Sequence, residues 1–225
     1  MSNKITAWSF SRWSCYEECP RKAKYKFIDK LPEPGSVAMD RGADIHKKLE
    51  RYLSQGGRFP KEATPLKDEY RKLRKAEPMV EMQVAFTSRW EPSDWFGRDT
   101  WCRVVIDALV PPVVNAKTPV VDIRDHKTGK VREGAGYEVQ LELYGLTGLL
   151  MFPVAERATA SLMFVDHGVI VPVKDEFKRS DVPALKKTWE KRVKPMMNDT
   201  RFQVRPGNYC RWCHFRRQNG GPCEY

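Results

Sequence analysis

Three side chains offer the most legible chemistry in this sequence: Asp107, Asp125 and Lys127. Asp107 ends the apolar run Val104-Val105-Ile106, where an ionised carboxylate is costly to bury unless it is paired or bound to a cation. Asp125 and Lys127 are two residues apart in a Val- and Ile-rich segment, so in an extended strand they project to one side while His126 faces away. Two carboxylates and an ammonium meeting in this way can hold a divalent ion that activates water for attack on a phosphodiester. The lysine would orient that water or neutralise charge developing on the phosphate. The alternative for such pairs is a surface salt bridge. An acid two residues before a lysine occurs again at Glu176 and Lys178 in an ordinary polar segment, so the strand context and the upstream Asp107 carry the reading.

Strands are needed to position these groups, and the pattern supplies them. Val80, Met82, Val84 and Phe86 alternate with Glu81, Gln83 and Ala85 at the period of a half-buried strand. Residues 101–110 and 119–127 read as central strands separated by the Pro111-Pro112 turn and the loop from Asn115 to Thr118. Residues 161–165 and 169–173 read as a hairpin turning at Asp166-His167-Gly168. Helices surround them. Ser9 to Asp29 is a basic helical stretch interrupted at Pro20, with Trp13, Tyr16, Tyr25 and Phe27 among Arg21, Lys22, Lys24 and Lys26. Pro32 to Ser36 is a linker, after which Ile45, Leu49, Tyr52 and Leu53 recur at helical spacing up to Gly56-Gly57. Thr64 is placed to cap a second helix with Pro65 in its first position, and Leu66, Tyr70 and Leu73 form its apolar stripe. Helical stripes return over 137–151 and 181–197. The expected architecture is α/β: one compact domain over 1–225 with helices around a mixed sheet of about five strands, a helix inserted, and a Cys-bearing tail.

Six cysteines without a secretory signal read as reduced thiols or metal ligands rather than a disulfide framework. Cys102 sits in an apolar strand and reads as core. Cys210-Arg211-Trp212-Cys213 with Cys223 is a metal-ligand pattern that needs a fourth ligand. The formal charge of +11, from 40 Lys and Arg against 29 Asp and Glu, favours an anionic partner such as nucleic acid; the alternative is a solvated basic surface. No stretch approaches the roughly 18 apolar residues of a membrane span, so a soluble, cytoplasmic protein with no membrane partner is expected. Trp13 or Trp212 could stack on an unpaired base, with simple packing as the alternative.

Taken in order, Ser9 through Cys19-Pro20, Arg41-Gly42-Ala43-Asp44-Ile45-His46, Glu81, Ile106-Asp107, Asp125-His126-Lys127-Thr128-Gly129 and Gln140-Leu141-Glu142-Leu143-Tyr144 resemble one family. It is the RecB-like branch of the PD-(D/E)xK nuclease superfamily, which includes CRISPR-associated and phage exonucleases. The resemblance implies a restriction-endonuclease-like core whose Cys-bearing C-terminal tail packs near the N-terminal helix. It also implies roles: Asp107 and Asp125 as magnesium or manganese carboxylates, Lys127 as the catalytic lysine, and the main-chain carbonyl of His126 as a further ligand. His46 resembles the family's additional metal ligand and Glu81 its acidic residue on the preceding strand. Gln140 and Tyr144 match a motif that supports the active site and contacts the nucleic-acid backbone. Read without the family, these four are a partly buried histidine, the polar side of a strand and helix packing positions. The sequence departs from the family at Val104, where glycine is frequent.

In iron-sulfur members one Cys before the first helix's Pro joins three near the C-terminus. The resemblance therefore implies a four-iron four-sulfur cluster on Cys19, Cys210, Cys213 and Cys223, stapling residues 1–30 to 200–225. The residues alone leave zinc, with His214 as a further ligand, or free thiols as alternatives, and Cys15 is the spare candidate one turn from Cys19. Nine residues separate Cys213 from Cys223, more than is common in the family. The reading that results is a metal-dependent DNA nuclease, an exonuclease acting on single strands or free ends in DNA processing, repair or recombination. Any unwinding would come from a helicase or recombination partner, because the chain has no helicase motif. The rival is a non-catalytic nucleic-acid-binding module or a subunit of a recombination or CRISPR-adaptation complex. All three of Asp107, Asp125 and Lys127 are present, and a degenerate site is expected to have lost at least one of them.

Overall fold

The computed structural model describes residues 4–131, 136–173 and 175–225. Two compact units emerge: Met1–Gly35, Ala85–Arg103 and Thr188–Tyr225 form the first, and Ser36–Val84 with Val104–Lys187 the second. The second unit carries the sheet. Its strands β1 (Met79–Phe86), β3 (Cys102–Val110), β4 (Val120–Lys127), β5 (Arg157–Phe164) and β6 (Val169–Pro172) lie in the order β1-β3-β4-β5-β6. β3 and β4 are antiparallel, with Ala108 opposite Arg124 and Leu109 opposite Ile123. β4 and β5 are parallel, with Asp125 opposite Leu162 and Lys127 opposite Phe164, so the sheet is mixed. A parallel pair needs a crossover. The helix α5 (Tyr137–Met151) provides it, and Gly148 lets it lie close, since a Cβ there would stand 2.8 Å from Ile123 Cδ1.

Two strands escape sequence reading because a two-residue run shows no period. β2 (Pro92–Ser93) pairs with the last two residues of β1, and β7 (Phe177–Lys178) pairs with β5 at Arg157 and Ala158. β5 starts at Arg157 rather than Ser161: its backbone already pairs with Val120 there, and the small Ala158 and Ala160 at its start give little apolar signal.

The helix α3 (Val37–Gln55) begins where the Ser36 hydroxyl accepts the Met39 N–H at 3.2 Å. Its Ile45, Leu49, Tyr52 and Leu53 meet Tyr70 and Leu73 of α4 (Lys67–Lys75), Ala108 of β3 and Met163 of β5 in one core cluster. Each large side chain buried there contributes on the order of 2 kcal/mol. The expected Thr64 cap is replaced by a 3₁₀ turn over Lys61–Leu66 that contains Pro65, and Thr64 Oγ1 donates to the Lys61 carbonyl at 2.7 Å. Burial of Ala63 and Leu66 in the same core explains why packing prevails over the capping preference.

The first unit has an aromatic core. Trp8 stacks on Trp189 with ring centroids 5.2 Å apart and meets Trp101 edge-on at 5.3 Å. Trp8 also bonds through its backbone to Trp101 and Arg103, adding a bridge beside Cys102. α1 (Phe10–Glu18) is capped by Ser9, and α2 (Pro20–Phe27) starts with Pro20 at its first position. Trp189 lies on α6 (Val182–Asn198), and Trp13 packs against it edge-on at 5.4 Å, which accounts for Trp13 as a packing residue. Among the described residues no helix is long and apolar enough to cross a membrane.

Candidate metal centre

The register that places Ala108 opposite Arg124 brings Asp107 of β3 beside His126 of β4, and the His126 backbone N–H donates to Asp107 Oδ2 at 2.6 Å. The other oxygen, Oδ1, lies 3.5 Å from Nδ1 of His46 on α3. Glu81 of β1 completes a group: one ligand atom from each of His46, Glu81 and Asp107 lies within 4.8 Å of the others. Glu81 has a φ of +47°, a left-handed backbone rare for a residue with a Cβ. Such strain clusters at functional sites. Gly42, Ala43, His46, Lys47, Glu50 and Glu81 line the open cleft in front of the group.

Beside it, Lys127 Nζ stands 2.5 Å from the buried Asp125 Oδ2 in an ion pair. Asp125 Oδ1 accepts the Tyr144 hydroxyl at 2.5 Å, and Tyr144 in turn accepts from Gln140 Nε2 at 2.8 Å, one turn earlier on α5. Asp125 is thus held by a lysine and a tyrosine and stands outside the group of three. The His126 ring is turned away and buried, its Nδ1 3.1 Å from the Tyr70 hydroxyl. Tyr70 read as part of an apolar stripe in the sequence; no local signal marks its hydroxyl.

Burial dominates the electrostatics. It pushes the Asp125 carboxyl up against the opposing pull of Lys127, and pushes Glu81 up with help from the neighbouring charge of Asp107. It pulls the His126 imidazole down to about 4. For Asp107 burial also raises the carboxyl, but the neighbouring rings of His46 and His126 outweigh it, and the net shift is downward. For His46 burial lowers the ring, and Asp107 more than reverses this. Crowded, partly desolvated carboxylates with an imidazole among them are a donor set suited to a divalent cation, which would relieve the repulsion between them.

The cysteines gather elsewhere. Cys19, Cys210, Cys213 and Cys223 all line one pocket of the first unit, together with Lys22, Tyr25, Arg205, Tyr209 and Phe215. The tail is brought to α2 by Arg21 Nε donating to the Phe202 carbonyl at 2.8 Å and by Tyr25 against Phe215 at 5.4 Å. Cys210 lies within a 3₁₀ turn over Asn208–Trp212 and Cys213 follows it, while Cys223 bridges Arg216. Cys15 is half-buried on α1 with its thiol pushed up to about 11 by burial, and Cys102 is fully buried in β3. Trp212 is 66% exposed, its face covered by Arg211 at 4.2 Å.

Comparison with known proteins bears on the whole chain. The sequence profile of the PD-(D/E)XK nuclease superfamily matches residues 7–118 and 105–218. No curated protein matches as a relative. Among solved structures, one named "Putative exonuclease", from Eubacterium rectale, superposes with a TM-score of 0.53 at 11% identity, over 94% of this chain and 88% of its own. The crystal structure of SSO0001 aligns over 96% of this chain and 86% of its own at 15% identity, with a TM-score of 0.44. At 11% identity the first likeness speaks to fold alone. The mixed sheet flanked by helices is the restriction-endonuclease-like arrangement, and the profile covers most of the sequence. The chain belongs to the PD-(D/E)XK nuclease superfamily.

Proposed function

We propose that this nuclease, of the RecB-like branch, hydrolyses phosphodiester bonds of DNA with magnesium or manganese and works from strand ends as an exonuclease in DNA processing. One observation carries the reading: His46, Glu81 and Asp107 converge within one ion's reach beside the Asp125 and Lys127 pair. His46, Glu81 and Asp107 would hold the cation, with the His126 carbonyl as a further ligand. Asp125 would join them through an oxygen that Tyr144 or Lys127 now holds. A divalent ion bound there supplies Lewis-acid polarisation of the phosphate and a more acidic water.

The chain's own groups do the rest. Lys127, 30% exposed at its side chain, extends its ammonium from Asp125 toward solvent, where it meets charge developing on the phosphate. Tyr144, steadied by Gln140, fixes the Asp125 carboxylate through a donated hydrogen bond and keeps its pKa from rising further. The His126 backbone N–H does the same for Asp107. Both units serve one nuclease domain, and the excess of positive charge holds the DNA.

The cysteine pocket carries the second part of the proposal, a four-iron four-sulfur cluster on Cys19, Cys210, Cys213 and Cys223. The gathering of these four thiols around one pocket supports a four-cysteine site, and zinc bound by the same residues is the alternative that metal analysis of the purified protein distinguishes.

The test compares wild type, Asp107→Asn and Lys127→Ala on end-labelled single- and double-stranded DNA with magnesium or manganese. Wild type is expected to shorten the label from an end, and each variant to lose about 10²–10³ in kcat/KM. If wild type binds DNA but cuts with neither metal, the chain is a binding module; if the variants cut as fast as wild type, the site lies elsewhere.

A further inference from the structure

The metal centre uses only one side of α3. His46 and Glu50 face Glu81, while Lys48 and Arg51 lie further round the helix and lead to its C-terminal end. There Gly56 and Gly57, with φ of 80° and 96°, turn the chain sharply, and Arg58, Phe59, Pro60, Lys61 and Glu62 return along the other wall. The result is a cleft of about 520 Å³ in the second unit. Its apolar floor is firm: Phe59 packs edge-on against Tyr52 at 4.9 Å and lies 5.8 Å from Tyr70.

Charge is what sets this cleft apart. Lys48, Arg51, Arg58 and Lys61 line it against one acid, Glu62. Glu62 is already taken by Lys48 at 2.8 Å, and Lys48 also reaches Asp44 at 2.6 Å. Arg51, Arg58 and Lys61 are exposed and, among the described residues, make no ion pair. Three uncompensated cations around one concavity repel each other and add nothing to the fold, but they focus a positive potential into a space open to an anion. Arginines also present planar forks suited to phosphate oxygens.

We propose that this cleft is a phosphate site for the DNA strand, separate from the metal centre and gripping its backbone away from the scissile bond. The inference rests on the nuclease reading. Along α3, His46 and Arg51 are separated by a rise of roughly 7.5 Å. They also lie about 140° apart around the helix, so the cleft engages phosphates of the strand beyond the one at the metal centre. Substrates too short to reach it are cut without its help.

The test uses the full chain in chelator, so that binding is read without cleavage. Affinity for a labelled single-stranded oligonucleotide is measured across a salt series for wild type and the triple variant Arg51→Gln, Arg58→Gln, Lys61→Gln. Each lost phosphate contact lowers the slope of log K against log salt by about 0.7, so a fall of about 2 is expected, with affinity down tenfold or more at low salt. Hydrolysis of bis(p-nitrophenyl) phosphate with manganese, a diester too small to span both sites, is expected to stay within about twofold of wild type. An unchanged slope and affinity overturn the proposal. So does an equal loss of binding and small-diester hydrolysis, which would make the three residues structural. If wild type fails to hydrolyse the small diester at all, the nuclease reading falls, and the salt slope still decides whether the cleft binds phosphate.

Discussion

At the metal centre the candidate ligating atoms are held by sheet register and buried side-chain partners, whereas the cysteines of the first unit lie at a helix junction and on short turns tied mainly by backbone bonds. Asp107 sits on a strand whose register with β4 is fixed by backbone bonds, accepts the His126 N–H at 2.6 Å, and is steadied by His46. Asp125 is clasped by Tyr144 and Lys127. The cysteine sulfurs sit at the junction of α1 and α2 and on short turns, where Cys19 accepts the Arg205 N–H at 3.5 Å and Cys210 the Gly207 N–H at 3.4 Å. Sheet register preorganises the first site at the expense of crowded charge. If the cysteines take the proposed cluster, its binding also orders these turns and adds folding free energy.

That contrast can be broken most directly by removing each ligand. Cys210→Ser with Cys213→Ser, purified without oxygen, is expected to lose its iron, to become cleavable by protease after about residue 200, and to lose several kcal/mol of stability. Chelation of divalent ions from wild type should lower its melting temperature by far less, since it removes only the linkage term of an ion bound to a site already in place. Equal losses from the two treatments would show that both sites are ordered by ligand alike. A smaller effect comes from within the preorganised site. Tyr144→Phe leaves Asp125 Oδ1 buried without its donor, at a cost of about 1–3 kcal/mol in stability, and should lower kcat/KM about 10–100-fold without abolishing cleavage. If Tyr144→Phe matches wild type in both, the clasp contributes no preorganisation.

The smallest effect tests how the first unit is held beside the pocket without a ligand. Asp199 is raised by its burial but accepts N–H groups from Arg201 and Phe202 and the Tyr16 hydroxyl at 2.8 Å, and the net shift is below its ordinary 3.8. A depressed carboxylate adds stability that is full above its unfolded value and is lost as pH falls through its folded one. Denaturant melts should therefore show Asp199→Asn less stable than wild type above about pH 4, with the gap closing as the pH drops below 3.8. A gap that persists into acid would assign the loss to packing rather than charge.

Much of the frame was legible because it is written in local periods. The alternation through Val80 to Phe86, the apolar runs ending at Val110 and Lys127, and the stripe of α5 each declare their element within a few residues. The two-residue strands and the 3₁₀ turn before α4 were not, since the first have no period and the second is imposed by burial of Ala63 and Leu66. At the site, side-chain chemistry and spacing singled out Asp107, Asp125 and Lys127, and family resemblance added His46, Glu81, Gln140 and Tyr144.

The sequence by itself determined which residues could carry charge, sulfur or apolar surface, and which segments would be helix or strand, because these depend on residue type and near neighbours. Tertiary structure decided that His46 and Glu81 share Asp107's reach while Asp125 turns to Tyr144 and Lys127. It also decided that Tyr70 spends its hydroxyl on His126, and that Arg51, Arg58 and Lys61 ring one cleft instead of scattering over a solvated face. Those outcomes depend on the register of strands and the packing of helices far apart in the chain, and no local period encodes which distant partner a side chain will meet.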